Sequence, residues 1–103
     1  MITASIVLYH HSLTEVNDII NCVLKSSVST LFIVDNSTND VSRKWENVSD
    51  RIWYIHSVNL GYGAGHNIAI REAQEKGAVY HIVINPDVSF QNDTLNQLTE
   101  YMD

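Results

Sequence analysis

One cysteine, one proline and four glycines in 103 residues close off several chemistries at once. The single thiol, Cys22, supports neither an internal disulfide framework nor a cysteine-only metal site, and such a chain defaults to a reducing, cytoplasmic setting. Basic side chains are also scarce, 6 Lys and Arg against 12 Asp and Glu, for a formal net charge of −6. That balance disfavours nucleic acid as a partner, because phosphate backbones are met by basic stripes. An acidic chain can still take a nucleotide diphosphate when a divalent cation neutralises the phosphates. No apolar run approaches the roughly 20 residues of a membrane span, and the N-terminus has no basic n-region of a signal peptide. No Gly-Lys-Ser/Thr occurs, so there is no P-loop.

What is present is the content of a folded core, 45% hydrophobic residues in a length that holds one domain at most. The elements alternate. Ser5 to Tyr9 reads as a short strand, and Ser12 opens a helix with Glu15 three residues later, a capping box. Val16, Ile19, Ile20, Val23 and Leu24 then recur on one helical face. Thr30 to Val34 is nearly continuous in apolar residues, which suits a strand covered on both sides. Its end, Asp35 to Asp40, is entirely polar and reads as a loop. A short helix around Ser42 to Asn47 is an open reading of an ambiguous stretch. Ile52 to His56 reads as a strand, about His66 to Lys76 as a helix stopped by Gly77, and Val79 to Ile84 as a buried strand. Asn92 or Asp93 caps a last helix carrying Leu95, Leu98 and Met102. This order predicts an α/β fold, a mostly parallel sheet flanked by helices, with the segments after Tyr9, Val34 and Ile84 on one rim.

Asn59 to Asn67 concentrates Gly61, Gly63 and Gly65, and Asn85-Pro86-Asp87 follows the run ending at Ile84. Glycine is needed where φ turns positive or where another group comes close. A carboxylate just beyond a strand sits where open α/β sheets place ligands. The glycines are not a dinucleotide fingerprint, since they come after the third strand with the wrong spacing; a tightly turning loop is the bland alternative. Asp87 is the best candidate ligand for Mg2+ or Mn2+, which take carboxylates together with substrate phosphates, against a simple turn role after Pro86. Asp35 is either a loop cap or an acceptor for a base or ribose, and Thr38, Asn39 and Asp40 serve the loop. His10 and His11 sit at a strand end where they can line a pocket, His66 lies in the glycine segment, and His56 and His81 read as ordinary strand residues. No histidine pair has the i, i+4 spacing of a zinc site, and Ser37 has neither base nor nucleophile elbow.

Four segments in order resemble the front half of a family 2 glycosyltransferase of the GT-A, Rossmann-like fold, in its bacterial rhamnosyltransferase-like branch. Ile6-Val7-Leu8-Tyr9-His10 is similar to that family's opening strand, which usually ends Tyr-Asn. Ile33-Val34-Asp35-Asn36-Ser37 with Asp40 resembles Val-Asp-Asn-x-Ser. Asn59 to Asn67 resembles the Asn-x-Gly-x-Gly-x-Gly-x-Asn segment, and Ile84-Asn85-Pro86-Asp87 is similar to Leu-Asn-Pro-Asp. The resemblance implies that Tyr9 and Asp35 meet the nucleotide base and that Asn59 and the glycine segment, Gly61 and Gly65 to Asn67, close over the nucleoside. It implies that Asp87, the last acid of an Asp-x-Asp motif, holds a divalent metal on the diphosphate. The nucleotide-binding set is therefore Tyr9, His10, Asp35, Asn59, Gly61, Gly65, Asn67 and Asn85, with Asp87 for metal. The chain departs from the family pattern at Asn85 for the first acid, His10 for Asn and Ala69 for a frequent glycine.

Family members are longer, and the resemblance puts the catalytic base and acceptor site in a second half. The expectation is one domain over residues 1–103, the nucleotide-sugar-binding part of a truncated enzyme. In the full-length protein that enzyme would transfer sugar from a nucleotide diphosphate donor to a glycan or lipid-linked acceptor, in the cytoplasm and peripheral to the inner membrane. The alternative is a non-catalytic nucleotide-binding or interaction module on the same scaffold. An apolar face left open by truncation would favour a homo-oligomer.

Overall fold

The computed structural model describes residues 1–39, 41–57 and 62–85. Among these, the strands β1 (Ile2–Leu8), β2 (Thr30–Asp35), β3 (Ile52–His56) and β4 (Tyr80–Ile84) alternate with α1 (Leu13–Leu24), a 3-10 helix (Val41–Asn47) and α2 (Tyr62–Glu75). The sheet order is β3-β2-β1-β4, and every pairing is parallel. The expected last helix from Asn92 or Asp93, with Leu95, Leu98 and Met102, lies outside the described residues, as does Asp40. No described helix is long and apolar enough to cross a membrane.

Register sorts the strands into two faces. Ala4, Ile6 and Leu8 of β1 with Leu31 and Ile33 of β2 point one way, into a layer closed by Val16, Ile19, Ile20 and Val23 of α1 and by Trp45. The reading of a single apolar face on α1 holds. Val7, Phe32 and Val34 point the other way and pack on Ala69 and Ala73 of α2. The apolar run of β2 is buried on both sides, as its composition predicts.

The helix ends follow local chemistry. The amide of Val16 donates to Ser12 O at 3.2 Å, so α1 does begin just after Ser12; the Glu15 side chain lies outside the described atoms. At the other end of α1, the Arg51 guanidinium donates to Leu24 O at 2.7 Å, to Ser26 O at 3.1 Å and to Val28 O. One side chain thus satisfies the last helical carbonyl, which has no intrahelical partner, and two carbonyls of the turn that follows. Gly77 adopts φ 83 directly after α2, the left-handed position that ends helices.

Three sequence expectations are corrected. β1 begins at Ile2, not Ser5, because Ile2 and Thr3 pair with Tyr80 and His81, and it ends before Tyr9, because His10 turns to φ 53. α2 begins at Tyr62 rather than His66, so Gly63 and Gly65 lie in helix, not loop. The run up to Ile84 is not fully buried: Tyr80 and Val83 of β4 are 44% and 51% exposed, because β4 lies at the edge of the described sheet. The ambiguous stretch around Ser42 to Asn47 is the 3-10 helix.

Candidate functional site

Parallel strands deliver their carboxyl ends to one rim, which carries Tyr9 and His10 after β1, Asp35 to Thr38 from the end of β2, Ser57 after β3 and Asn85 after β4. The chain leaves β1 for β2 on one side and returns from β3 to β4 on the other, with α1 and α2 on opposite faces. The connections reverse between β1 and β4, and open α/β sheets bind ligands outside the strand ends at such a point. Tyr9, 63% exposed, and the exposed Asn85 flank it.

The turn after β2 is built around Asp35, which is 1% exposed. Its Oδ1 accepts the Ser37 amide at 3.0 Å and its Oδ2 accepts the Tyr54 hydroxyl at 2.5 Å. The backbone is tied to both neighbours, with the Asn36 amide on Leu8 O at 2.8 Å and the Ser57 amide on Asp35 O at 2.9 Å. His56 Nε2 donates to Ser37 O at 2.8 Å. Of the two roles open to Asp35 from sequence, this geometry displays the loop cap.

His10 clasps the same turn. Its amide donates to Ser37 Oγ at 2.7 Å, and its Nε2 accepts the Thr38 amide at 3.3 Å with the Thr38 hydroxyl 3.1 Å away. An accepting Nε2 puts the ring proton on Nδ1. The Tyr9 ring meets His10 edge-on at 4.8 Å. A φ of 53 is unusual outside glycine, yet Asn and His are the residues enriched there, so His10 fits where the family pattern has Asn. Thr38 serves the loop, as expected.

Gly65 lies against the sheet rather than over a ligand. A Cβ on it would fall 2.8 Å from Val7 Cγ2 and 3.4 Å from Val34 Cγ1, so its absence lets the first turns of α2 rest on the carboxyl halves of β1 and β2. Ala69 and Ala73 continue this small-residue stripe at four-residue intervals, and the buried Ala69 shows that a methyl fits where the family often has glycine. Asn67 is exposed on α2. The rim thus gathers Tyr9, His10, Asp35 and Asn85, with the start of α2 behind it; Asn59, Gly61 and Asp87 lie outside the described residues. No group of three His, Cys, Asp or Glu gathers among the described residues.

Sequence reasoning passed over a buried polar chain beneath the rim. Thr3 Oγ1 lies 2.7 Å from His81 Nδ1, His81 Nε2 lies 2.8 Å from Ser5 Oγ, and Ser5 Oγ lies 2.7 Å from His66 Nδ1. Burial holds His66 below the usual histidine range; burial and then the neighbouring His66 do the same for His81. Hydroxyls at alternate positions of an otherwise apolar strand, Thr3 and Ser5, were the available signal.

The chain matches the family model described as glycosyl transferase family 2 over residues 6–103. It is 34% identical over 106 aligned positions to the dTDP-rhamnosyl transferase RfbF of Shigella flexneri, covering 99% of this chain and 34% of that protein. It is 35% identical over 75 positions to the low-salt glycan biosynthesis hexosyltransferase Agl10 of Haloferax volcanii, covering 71% of this chain and 24% of that protein. It therefore spans about a third or less of the length of these curated relatives. The parallel sheet between helices, the switch point on its carboxyl rim and the match along almost the whole sequence agree: the chain belongs to glycosyl transferase family 2.

Proposed function

We propose that this chain is the donor-binding part of an enzyme that transfers sugar from a nucleotide diphosphate sugar to a glycan or lipid-linked acceptor. The observation that carries the reading is the switch point between β1 and β4, flanked by Tyr9 and Asn85 and walled by the Asp35 turn. Tyr9 offers an exposed aromatic face to a base, and His10 holds the turn beside it. Asp35 contributes by shaping that turn, and a direct bond from its carboxylate to a base requires the turn to open. The relatives' names, a dTDP-rhamnosyl and a hexosyltransferase, favour a nucleoside diphosphate hexose or deoxyhexose as donor.

A divalent cation, Mg2+ or Mn2+, would supply positive charge to the diphosphate, with Asp87 as the carboxylate offered to it. Asp35 is unsuited to that task, because burial and its two hydrogen bonds already engage it. Calorimetric titration with UDP and dTDP, with and without Mn2+, tests the reading. Binding is expected to need the metal and to weaken at least about tenfold in Asp87→Asn, at little cost in stability, in line with loss of a metal-ligating acid. No binding of any nucleoside diphosphate would remove the donor-site reading; metal-dependent binding unchanged in Asp87→Asn would reduce Asp87 to a turn residue.

A further inference from the structure

We propose that Ser5, His66 and His81 form a relay that holds a single extra proton and positions the start of α2 against β4. The positioning part rests on the donor-site reading above, since α2 and β4 are the elements that frame the rim behind Tyr9 and Asn85.

The hydrogen-bond directions carry the argument. With both rings neutral, one arrangement runs from the Thr3 hydroxyl to His81 Nδ1, from His81 Nε2–H to Ser5 Oγ and from the Ser5 hydroxyl to His66 Nδ1. The reverse runs from His66 Nδ1–H to Ser5, from the Ser5 hydroxyl to His81 Nε2, and from His81 Nδ1–H to Thr3, whose hydroxyl then turns to Tyr80 O at 3.5 Å. Both satisfy the run from Thr3 Oγ1 to His66 Nδ1, because a serine hydroxyl donates once and accepts twice. A proton added to His66 selects the reverse direction; one added to His81 has its Nε2–H donate to Ser5 and leaves the Ser5 hydroxyl to His66. Protonating both rings makes both donate to Ser5 Oγ, which strands the Ser5 hydroxyl between two like charges in a buried site. The pair therefore takes one proton and refuses the second while folded.

Among the described residues, the strands offer this pair no carboxylate on the α2 side. Register places Thr3, Ser5 and Val7 of β1, Thr30, Phe32 and Val34 of β2, Trp53 and Ile55 of β3, and His81 and Val83 of β4 on the α2 side. His81 is thus the titratable group that the described sheet turns toward α2, and Arg71, Glu72, Glu75 and Lys76 lie further along α2 itself. Ser5 is the shared atom donor and acceptor, so it is a positioning residue rather than a ligand contact.

Nitrogen-15 NMR of the histidine rings between about pH 8 and about pH 5 tests the relay in the nucleotide-free protein. In the parent, proton uptake at one ring should set the tautomer of the other, with the proton of His81 on Nδ1 when His66 is charged and that of His66 on Nε2 when His81 is charged, and the second ring should stay neutral until the fold is lost. In Ser5→Ala, a change that keeps volume, the two rings should titrate independently. Rings that both become charged in the folded parent, with fixed tautomers, overturn the relay, and that parent measurement decides the matter even if Ser5→Ala does not fold. Affinity for UDP with Mn2+ should fall about fivefold more on acidification in the parent than in Ser5→Ala, a typical coupling between sites. An identical pH dependence in both overturns the positioning role. Coupled rings without nucleotide binding at any pH would count against the donor-site reading and leave the relay standing.

Discussion

A methyl group on Gly65 would sit 2.8 Å from Val7 Cγ2 and 3.1 Å from Cγ1, and the Val7 side chain is itself buried under α2. Alanine is the better helix former by about 1 kcal/mol, so propensity and packing oppose one another at this position. Overpacking a filled interface costs about 1–3 kcal/mol, and packing should win. Gly65→Ala is expected to lower the denaturation midpoint, and Val7→Ala in the same chain to recover part of the loss, because contacting residues are not additive. A Gly65→Ala protein as stable as the parent would show that α2 lifts off β1 at no cost. The need for close approach was one of the two roles glycine could have from sequence alone. Which role applied depended on where α2 begins, and three glycines in five residues mask a helix start whose close approach to Val7 and Val34 is a tertiary contact.

Arg51 shows at the scale of elements how a loop residue fixes a helix end. Its guanidinium reaches Leu24, Ser26 and Val28 carbonyls as one planar fork, a geometry that a lysine ammonium does not reproduce. Arg51→Lys should therefore cost nearly as much as Arg51→Ala, about 2–3 kcal/mol by urea denaturation for charge-assisted bonds to partly buried carbonyls; full rescue by lysine would reduce the contact to simple charge. The relay between α2 and the sheet gives a second element-scale prediction. His66 and His81 are both depressed below the ordinary 6.5 of histidine. Below that value the unfolded chain binds more protons than the folded one, so stability rises with pH there. Thermal stability should be level above about pH 7.5 and decline as pH falls through 6.5 toward the depressed values, and His66→Gln should flatten the decline. A melting temperature constant from pH 7.5 to 5.5 would contradict the burial of both rings. The amphipathic stripe of α1 and the apolar run of β2 were legible because each depends on local periodicity. The relay was not, because it joins residues 61 and 76 positions apart through a strand order that periodicity does not encode.

At the scale of the whole molecule, strand-helix alternation and polar strand ends were enough to predict the parallel sheet and its shared rim, and Asp35 and Asn85 do lie at that rim. The edge position of β4 among the described strands was not legible, since Val79 to Ile84 has the composition of a buried strand, whereas Tyr80 and Val83 are exposed. Chemistry at the rim points to a division of labour. Sugar transfer to a hydroxyl needs a base within hydrogen-bond reach of that hydroxyl. Among the described rim residues, Asp35 is buried in its turn, His56 donates to Ser37 O and the Nε2 of His10 accepts from Thr38. His66 lies beneath the sheet surface with Ser5. Among the described residues, these groups are engaged in holding the rim or the helix behind it, and His11 Nδ1 accepts the Tyr9 amide at 3.0 Å. This chain, which spans 34% of the length of the rhamnosyl transferase it matches, should therefore bind donor without passing sugar to an acceptor. Incubation with a panel of nucleotide sugars, Mn2+ and glycan or lipid-linked acceptors should yield no glycosylated product, while donor binding persists in the same samples. Slow release of free sugar is compatible with this, because water needs no acceptor site. Robust transfer that survives in Asp35→Asn but not in His10→Asn, with donor binding kept in both, would place His10 in the transfer step, since asparagine suits the left-handed backbone there while the imidazole is removed.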